Sequence, residues 1–307
     1  MSRRNKQSAQ VEHRRPRWLW PTLAFPGTAW LLVLFAVPFY GVMSLAGGYD
    51  DPLFGAREPQ WNPLKWNAAS FREVWRGLES GVFGQPFTRT CAYVALSMLL
   101  CFAIGFPVAY YVARFAGKRR GLMLALLLAP FWISYLMRML AWVNLLQEDG
   151  YVNDILRALH ISSSPINWLD ARWYTIVFGL VYGYVPFFIL PLFASLDRID
   201  TRLLEASNDL GVGMVRTFIH VTLPNARQGI LAATAITALP MFGDYYTNQL
   251  LSSSPRTNMI GNQIQAAVQS PTSRGVGAAL VLSLTLFLTI LMGYYLYASN
   301  AATKDIR

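Results

Sequence analysis

Residues 91–113 read CAYVALSMLLCFAIGFPVAYYVA, a run of 23 residues without a charged side chain. A helix rises 1.5 Å per residue, so about 20 such residues cross the hydrocarbon core of a bilayer. Lipid offers no hydrogen-bond partner to an open backbone, which makes a helix the structure this segment must form. The run therefore predicts a transmembrane helix. Within it, Cys91 and Cys101 are expected to serve as small apolar side chains.

Five further segments of the 307-residue chain are similarly long and mainly apolar. They are residues 23–46, 122–146, 174–196, 229–251 and 277–299. Charged residues make up only 14% of the chain, against about 25% in a typical soluble domain. We predict an all-α integral membrane protein with six transmembrane helices between residues 23 and 299. The first span also resembles a signal peptide with a faint cleavage site at residues 44–46, but its apolar run is too long for one.

Proline recurs inside the predicted spans and is expected to kink several of them. Such kinks are tolerated where neighbouring helices or an aqueous cavity satisfy the freed carbonyl groups. A kinked bundle of this kind favours a transport pathway over a simple lipid anchor. The positions are Pro38, Pro107, Pro130, Pro186, Pro191 and Pro240.

The distribution of Lys and Arg predicts which side of the membrane each loop faces. Of the 26 basic residues, 16 lie in four segments. These are the N-terminal segment, the loop after the second span, the loop 197–228 and the tail 300–307. The opposite loops, including the long loop 47–87, carry nine. We therefore place the basic segment 1–22 and both termini in the cytoplasm and the loop 47–87 outside. The net charge of +10 is thus a topology signal, and nucleic acid is not an expected partner.

Two ionisable residues remain inside predicted spans, Arg138 in the third and Asp244 in the fifth. Such groups are costly in a membrane, face protein or water, and commonly mark a transport pathway. The alternative is that Arg138 and Asp244 pair with each other and lock two helices together.

Aromatic residues surround both charges in the sequence. Tyr135, Arg138 and Trp142 fall on one helix face, because they are spaced three and then four residues apart. A carboxylate and aromatic faces together suit a cationic substrate with methylene groups. Interfacial or core packing is the alternative for each ring taken singly. The other predicted pathway residues are Tyr182, Tyr184, Tyr245 and Tyr246.

The loop after the fourth span predicts two short helices joined by a turn. Asp200 or Thr201 is suited to capping the first helix, and Gly211 permits a left-handed turn. Pro224 is expected to end the second helix before the next span. The loop is amphipathic with balanced charge, which favours a protein partner over a membrane surface.

This loop resembles the signature of permease subunits of ATP-binding-cassette importers. In that signature three residues separate Glu-Ala-Ala from Gly, and nine more separate Gly from Ile-x-Leu-Pro; here Ser207 and Val221 replace the second Ala and the Ile. The resemblance implies a type I importer permease with MetI-like architecture, whose loop is a coupling helix docking on an ATPase. The residues implied in coupling are Glu205, Ala206, Ser207, Asp209, Gly211, Leu223 and Pro224.

Residues 130–142, 150–153 and 179–200 are further similar to the spermidine/putrescine permeases. This implies a bacterial inner-membrane protein that translocates a polyamine delivered by an external binding protein. Family members often carry another acid shortly after the position of Asp244, where this chain has Asn248 and Gln249, and Arg138 would repel a cation. Another small substrate, such as an amino acid or a quaternary amine, therefore remains an alternative.

The chain shows no sequence motif for chemistry of its own. It lacks a G-x-x-x-x-G-K-[ST] phosphate loop and any HExxH, GxSxG or CxxC motif, so we predict no catalytic residue, no metal and no cofactor. The resemblance implies ATP and Mg²⁺ on two copies of a partner ATPase, together with a second homologous permease and surrounding membrane lipid. The alternatives are an ion-coupled secondary carrier and a membrane-embedded lipid enzyme.

Overall fold

The computed structural model describes residues 19–51, 55–252 and 254–304. The first 18 residues of the predicted basic segment and the last three residues of the predicted tail lie outside this range. The helices are α1 (Leu19–Ala46), α2 (Ala69–Glu79), α3 (Gly84–Arg114), α4 (Arg120–Leu128), α5 (Tyr135–Leu146), α6 (Tyr151–Ala158), α7 (Trp173–Asp197), α8 (Thr201–Asp209), α9 (Met214–Thr217), α10 (Leu223–Asn225), α11 (Arg227–Phe242), α12 (Tyr246–Leu251), α13 (Ile260–Gln269) and α14 (Arg274–Lys304). Two-residue strands β1 (Tyr49–Asp50) and β2 (Arg57–Glu58) form an antiparallel pair.

Four helices of the described chain are long and apolar enough to cross a membrane. These are α1, α3, α7 and α14. They confirm the predicted helical membrane architecture, although α3 begins at Gly84, several residues before the predicted span.

The third predicted span, 122–146, is not one straight helix. It is divided into α4, a 3-10 turn at Ala129–Trp132 and α5, and the two halves are bent by 82°. Ile133 and Ser134 have extended backbone at the break, with ψ angles of 138° and 141°. A kink was predicted at Pro130, and the structure shows a sharper feature, a bend with non-helical backbone directly after the turn that contains this proline.

The fifth predicted span, 229–251, is also interrupted. Helix α11 has 16 residues and ends at Phe242, and the six-residue α12 begins only at Tyr246. Asp244 therefore lies in a break between two helices and not in the middle of a helix. Within the described residues the spans number four, or five with the bent pair, so the count of six stays a prediction.

Most of the predicted proline kinks are not chain breaks. Pro38, Pro107, Pro186, Pro191 and Pro240 lie within helices, whereas Pro130 lies in the turn that precedes the first break.

Helix α7 forms the centre of the bundle, between α3 and α11. Ile176, Leu180, Phe188, Leu192 and Leu196 are buried along its length. In lipid, helices associate mainly through close packing, because the surrounding chains are themselves apolar. The position of α7 therefore fixes where its neighbours can place polar groups.

A second apolar cluster joins α2, α13 and α14 at one end of the molecule. Arg57, in β2, joins the hairpin to α2: its guanidinium donates to Asp50 Oδ1 at 2.9 Å and to the Ser70 hydroxyl at 2.9 Å. The loop 47–87, predicted to lie outside the membrane, thus contains a hairpin and a helix that are joined by side-chain hydrogen bonds.

The loops form two groups, at the two ends of α3. Near its start, Arg89 donates to the carbonyl of Pro255. Near its end, Arg114 donates to the carbonyls of Leu196 and Ile199, each at 2.9 Å. The loops assigned to one side by their charge therefore meet in space, while the side of the membrane that they face stays a prediction.

Candidate functional site

Two broken helices meet at Asp244. Its backbone lies in the gap between α11 and α12, and Tyr135 is the first residue of α5, directly after the other break. The Tyr135 hydroxyl donates to Asp244 Oδ2 at 3.0 Å. Non-helical backbone at membrane depth is tolerated only where protein or a water-filled cavity surrounds it. The crossing of the two breaks is therefore the candidate site.

The carboxylate of Asp244 accepts hydrogen bonds from three residues. Oδ2 accepts from Tyr135, from the Tyr184 hydroxyl at 3.1 Å and from the Thr247 hydroxyl at 2.8 Å. Oδ1 accepts from the backbone N–H of Thr247 at 2.9 Å, which caps the start of α12. Asp244 is only 7% exposed, so neutral donors from α5, α7 and α12 stabilise its charge in the interior.

Close contact between α5 and α7 depends on a glycine. A Cβ added to Gly183 would lie 2.8 Å from Cε2 of Tyr135. The absence of a side chain at Gly183 lets the Tyr135 ring lie against the α7 backbone, and the ring is thereby oriented toward Asp244.

Arg138 and Asp244 do not form an ion pair among the described residues. The guanidinium of Arg138 instead lies 4.1 Å from the ring centroid of Phe131 and 5.5 Å from that of Tyr135. The alternative in which Arg138 and Asp244 pair to lock two helices was therefore wrong.

The other predicted pathway residues lie around this centre in different ways. Trp142 packs edge-on against Tyr182, with centroids 5.3 Å apart, and shares one face of α5 with Tyr135 and Arg138 as predicted. Tyr245 and Tyr246 stack on each other at 4.2 Å, and Tyr246 is exposed. Of the predicted set, the residues that contact Asp244 directly are Tyr135 and Tyr184.

Sequence reasoning missed Thr247 and Phe131. Asp is a preferred residue at helix starts, where its carboxylate accepts a backbone N–H of the first turn, and Asp244 accepts the N–H of Thr247 in this way. Inside an apolar run, that signal also indicates an interruption of the span. Phe131 carries no comparable signal, because its role depends on the bend between α4 and α5.

The predicted coupling loop has the expected helix–turn–helix shape. Asp200 caps α8, since its Oδ1 accepts from the N–H of Arg202 at 3.0 Å, and Gly211 has a φ of +71°. Pro224 does not end the second helix: it lies inside α10, and the chain turns two residues later. The π-helical turn at Phe218–Thr222 widens the helix just before Pro224, where a normal turn would clash with the proline ring.

The implied coupling residues divide into exposed and inward-facing groups. Glu205, Ala206, Asp209, Gly211 and Pro224 are exposed. Ser207 is buried, and its hydroxyl lies 2.8 Å from that of Thr217, which joins α8 to α9. Leu223 is half-buried. Exposed apolar side chains accompany the first group, namely Leu203, Leu210, Met214 and Val215.

A model of the family described as "Binding-protein-dependent transport system inner membrane component" matches residues 92–303. The chain belongs to this family. It is therefore a membrane transport component, and residues 92–303 contain both the Asp244 crossing and the coupling loop.

Named relatives of this permease agree with that assignment. The spermidine/putrescine transport system permease protein PotB of Escherichia coli is 32% identical over 211 residues, which cover 69% of this chain and 76% of PotB. PotB of Haemophilus influenzae is 30% identical, covering 76% of this chain and 81% of the relative. The inner membrane ABC transporter permease protein YdcU of Escherichia coli is 31% identical, covering 74% and 73%.

Solved structures share the fold of this permease. A chain of a bacterial ABC transporter involved in the import of the acidic polysaccharide alginate matches with a TM-score of 0.68 and 17% identity, covering 92% of this chain and 96% of the other. A chain of the alginate transporter in complex with an alginate pentasaccharide-bound periplasmic protein matches with a TM-score of 0.64 and 17% identity, covering 94% and 95%. These matches confirm the predicted importer-permease fold.

Proposed function

We propose that this chain is one permease subunit of an ATP-driven importer that carries aliphatic polyamines, such as spermidine or putrescine, into the cell. The carrying observation is the buried carboxylate of Asp244 at the crossing of two broken helices, bordered by the rings of Tyr135 and Tyr184. A polyamine presents ammonium groups that a carboxylate attracts and methylene groups that aromatic faces contact. The likeness to PotB supports the same substrate class.

The proposed path opens by exchange of hydrogen bonds at Asp244. In this structure the Asp244 carboxylate accepts hydrogen bonds from Tyr135, Tyr184 and Thr247. These bonds hold α5, α7 and α12 together. An ammonium group of the substrate takes the place of the tyrosine hydroxyls, and release restores them. Binding and conformational change are thus linked at one carboxylate, as alternating access requires.

The energy source in this proposal is a pair of ATPase subunits that bind ATP and Mg²⁺. Their contact surface is the exposed part of the coupling loop, from Glu205 through Gly211 to Val215. A second, related permease completes the membrane part, and an external binding protein delivers substrate to the loops at the opposite end of α3. This chain itself contributes no catalytic residue.

The substrate assignment is tested by uptake into proteoliposomes containing the complete transporter and its binding protein. Radiolabelled spermidine, putrescine, amino acids and sugars are compared at equal concentration, with and without internal ATP. ATP-dependent uptake of spermidine or putrescine alone supports the proposal. Selective uptake of an amino acid or a sugar contradicts it.

The coupling role is tested with Glu205→Lys. The side chain is exposed, so the folded permease should persist, while reversal of its charge should disrupt the contact with the ATPase. We expect uptake to fall at least tenfold while the ATPase subunits remain active. Normal uptake by the well-expressed variant would remove Glu205 from the coupling surface.

A further inference from the structure

Arg138 lies in a group of three aromatic rings. Its Cζ is 4.1 Å from the centroid of Phe131, 5.5 Å from Tyr135 and 5.7 Å from Tyr182. Phe131 belongs to the turn before the first helix break, Tyr135 begins α5, and Tyr182 lies on α7. These rings, which we name the aromatic cage, enclose the guanidinium from three separate segments of the chain.

The guanidinium has fewer hydrogen bonds than a buried arginine normally has. Arg138 is 8% exposed, and its Nε and Nη1 atoms are buried without a hydrogen-bond partner in the described structure. Burial of an unpaired charge is costly, and the faces of aromatic rings offset part of that cost. The aromatic cage is therefore a site that stabilises a cation through π faces rather than through fixed acceptors.

The aromatic cage and the Asp244 carboxylate are connected through one residue. The ring of Tyr135 contacts the guanidinium, and its hydroxyl donates to Asp244 Oδ2 at 3.0 Å. An aliphatic polyamine carries ammonium groups separated by methylene chains, so one ammonium at Asp244 places the next within reach of neighbouring rings. The two sites together match a molecule with more than one positive charge.

We propose that Phe131, Tyr135 and Tyr182 form a binding site for an ammonium group of the substrate, and that Arg138 occupies this site as a resident cation when no substrate is present. The inference rests on the proposed function, because it assumes a cationic cargo. Two positive charges in one site of low dielectric repel each other strongly, so the guanidinium and the ammonium exclude each other. Substrate enters as Arg138 moves out, and the return of Arg138 promotes release.

The exchange explains why a cation path contains a positive charge. If nothing opposed the attraction between the carboxylate and an ammonium group, the substrate would stay bound within the membrane. The guanidinium of Arg138 competes with the ammonium group and so weakens substrate binding. It also keeps the aromatic cage filled, so the empty path does not admit small cations.

The test measures binding of radiolabelled spermidine to the complete transporter in nanodiscs, without the binding protein. Arg138→Gln removes the competing charge but keeps much of the side chain's length. We expect spermidine to bind at least fivefold more tightly than to the unmodified transporter. Arg138→Lys should restore the original affinity, because its ammonium refills the aromatic cage, and Arg119→Gln, which alters an exposed arginine, should have no effect.

A second pair of variants tests the rings. Phe131→Leu keeps an apolar side chain but removes the π face, so it should abolish the gain caused by Arg138→Gln. Phe35→Leu, which alters an exposed ring on α1, is the matched control. Unchanged or weaker binding in Arg138→Gln, or a gain that survives Phe131→Leu, would overturn the inference.

Failure of assembly in Arg138→Gln does not end the test. Arg138→Met, which also removes the charge but keeps an apolar side chain, then takes its place: it should bind spermidine at least fivefold more tightly than the unmodified transporter, and unchanged binding overturns the inference. The substrate assignment is judged separately, by uptake into the unmodified transporter. If that transporter imports neither spermidine nor putrescine, the same variants are compared with methylammonium, a probe that requires only a site for a cation.

Discussion

Asp244 illustrates how one residue serves both the fold and the proposed transport. Its carboxylate caps α12 through the N–H of Thr247 and also accepts the hydroxyl groups of Tyr135 and Tyr184. The first bond fixes the helix break, and the other two join that break to α5 and α7. A neutral residue that accepts the same bonds would keep the fold and lose the attraction for a cation.

The variant Asp244→Asn separates these two roles. Its side-chain oxygen can still accept the tyrosine hydroxyls, while its NH2 group cannot accept the N–H of Thr247, so we expect the permease to assemble with a weaker start of α12. Loss of a buried charge–charge attraction of about 2 kcal/mol corresponds to roughly a thirtyfold decrease in the polyamine uptake rate at low substrate concentration. The measurement is initial uptake in proteoliposomes alongside the unfolding temperature of the complex.

Asp149→Asn provides the control for this prediction. Asp149 is exposed in the loop after α5, so removal of its charge should leave uptake within twofold of the unmodified value. Equal uptake in both variants would show that Asp244 has no part in cation transport.

At the level of elements, the sequence predicted the helices better than their interruptions. The 23 uncharged residues at 91–113 specify a long helix, and α3 contains all of them. The run 229–251 also contains Asp244, Asn248 and Gln249, and it is divided between α11 and α12, where Gly243 and the capping Asp244 satisfy the chain ends locally. Composition reports burial in lipid, whereas a break depends on a few polar bonds and on neighbouring helices.

The candidate site was also predicted only in part: the sequence identified its charged residues but not their partners. Isolated charges in apolar segments pointed to Arg138 and Asp244, and both lie in the interior. Their partners depend on how α5, α7 and α12 are arranged in space, which one sequence does not specify. Tyr135 and Tyr184, which the sequence grouped with Asp244, contact its carboxylate, whereas the alternative pairing of Arg138 with Asp244 is not found among the described residues.

The turn at Gly211 gives a prediction for the coupling loop. Its φ of +71° lies in the left-handed region, where a Cβ costs about 1–2 kcal/mol. Gly211→Ala should therefore shift the arrangement of α8 and α9 and reduce recovery of the ATPase subunits with the purified permease.

Gly213 offers a matched control two residues away. Its φ of −61° is accessible to any residue, and an added Cβ would meet no atom within 4 Å. Gly213→Ala should preserve ATPase recovery. If both variants recover the ATPase normally, the left-handed turn does not determine docking.

At the scale of the whole molecule, Arg114 connects the transmembrane core to the coupling loop. From the end of α3 it donates to the carbonyls of Leu196 and Ile199, just before α8 begins. Hydrogen bonds to a charged group contribute about 1.5–3 kcal/mol each. We therefore expect any movement of α8 to be transmitted to α3 and α7 together.

We expect Arg114→Gln to uncouple the transporter, with ATPase activity retained and uptake reduced at least fivefold. Arg120→Gln is the control, because the Arg120–Asp197 pair is largely exposed and such pairs contribute about 0–1 kcal/mol. The measurement is the ratio of substrate imported to ATP hydrolysed, which should fall in Arg114→Gln and stay unchanged in Arg120→Gln. A similar ratio for both variants would contradict the role given to Arg114.

The orientation of the whole permease is tested by single cysteines at the two ends. Excess Lys and Arg keep a loop on the cytoplasmic side, which places Lys118 inside and Ser163 outside. Both positions are exposed, and replacing Cys91 and Cys101 by alanine removes the native thiols. In cells stripped of their outer membrane, a membrane-impermeant maleimide should label Ser163→Cys at once and Lys118→Cys only after permeabilisation. The reverse pattern would invert the topology, and with it the assignment of Glu205 to an ATPase, because ATP is hydrolysed in the cytoplasm.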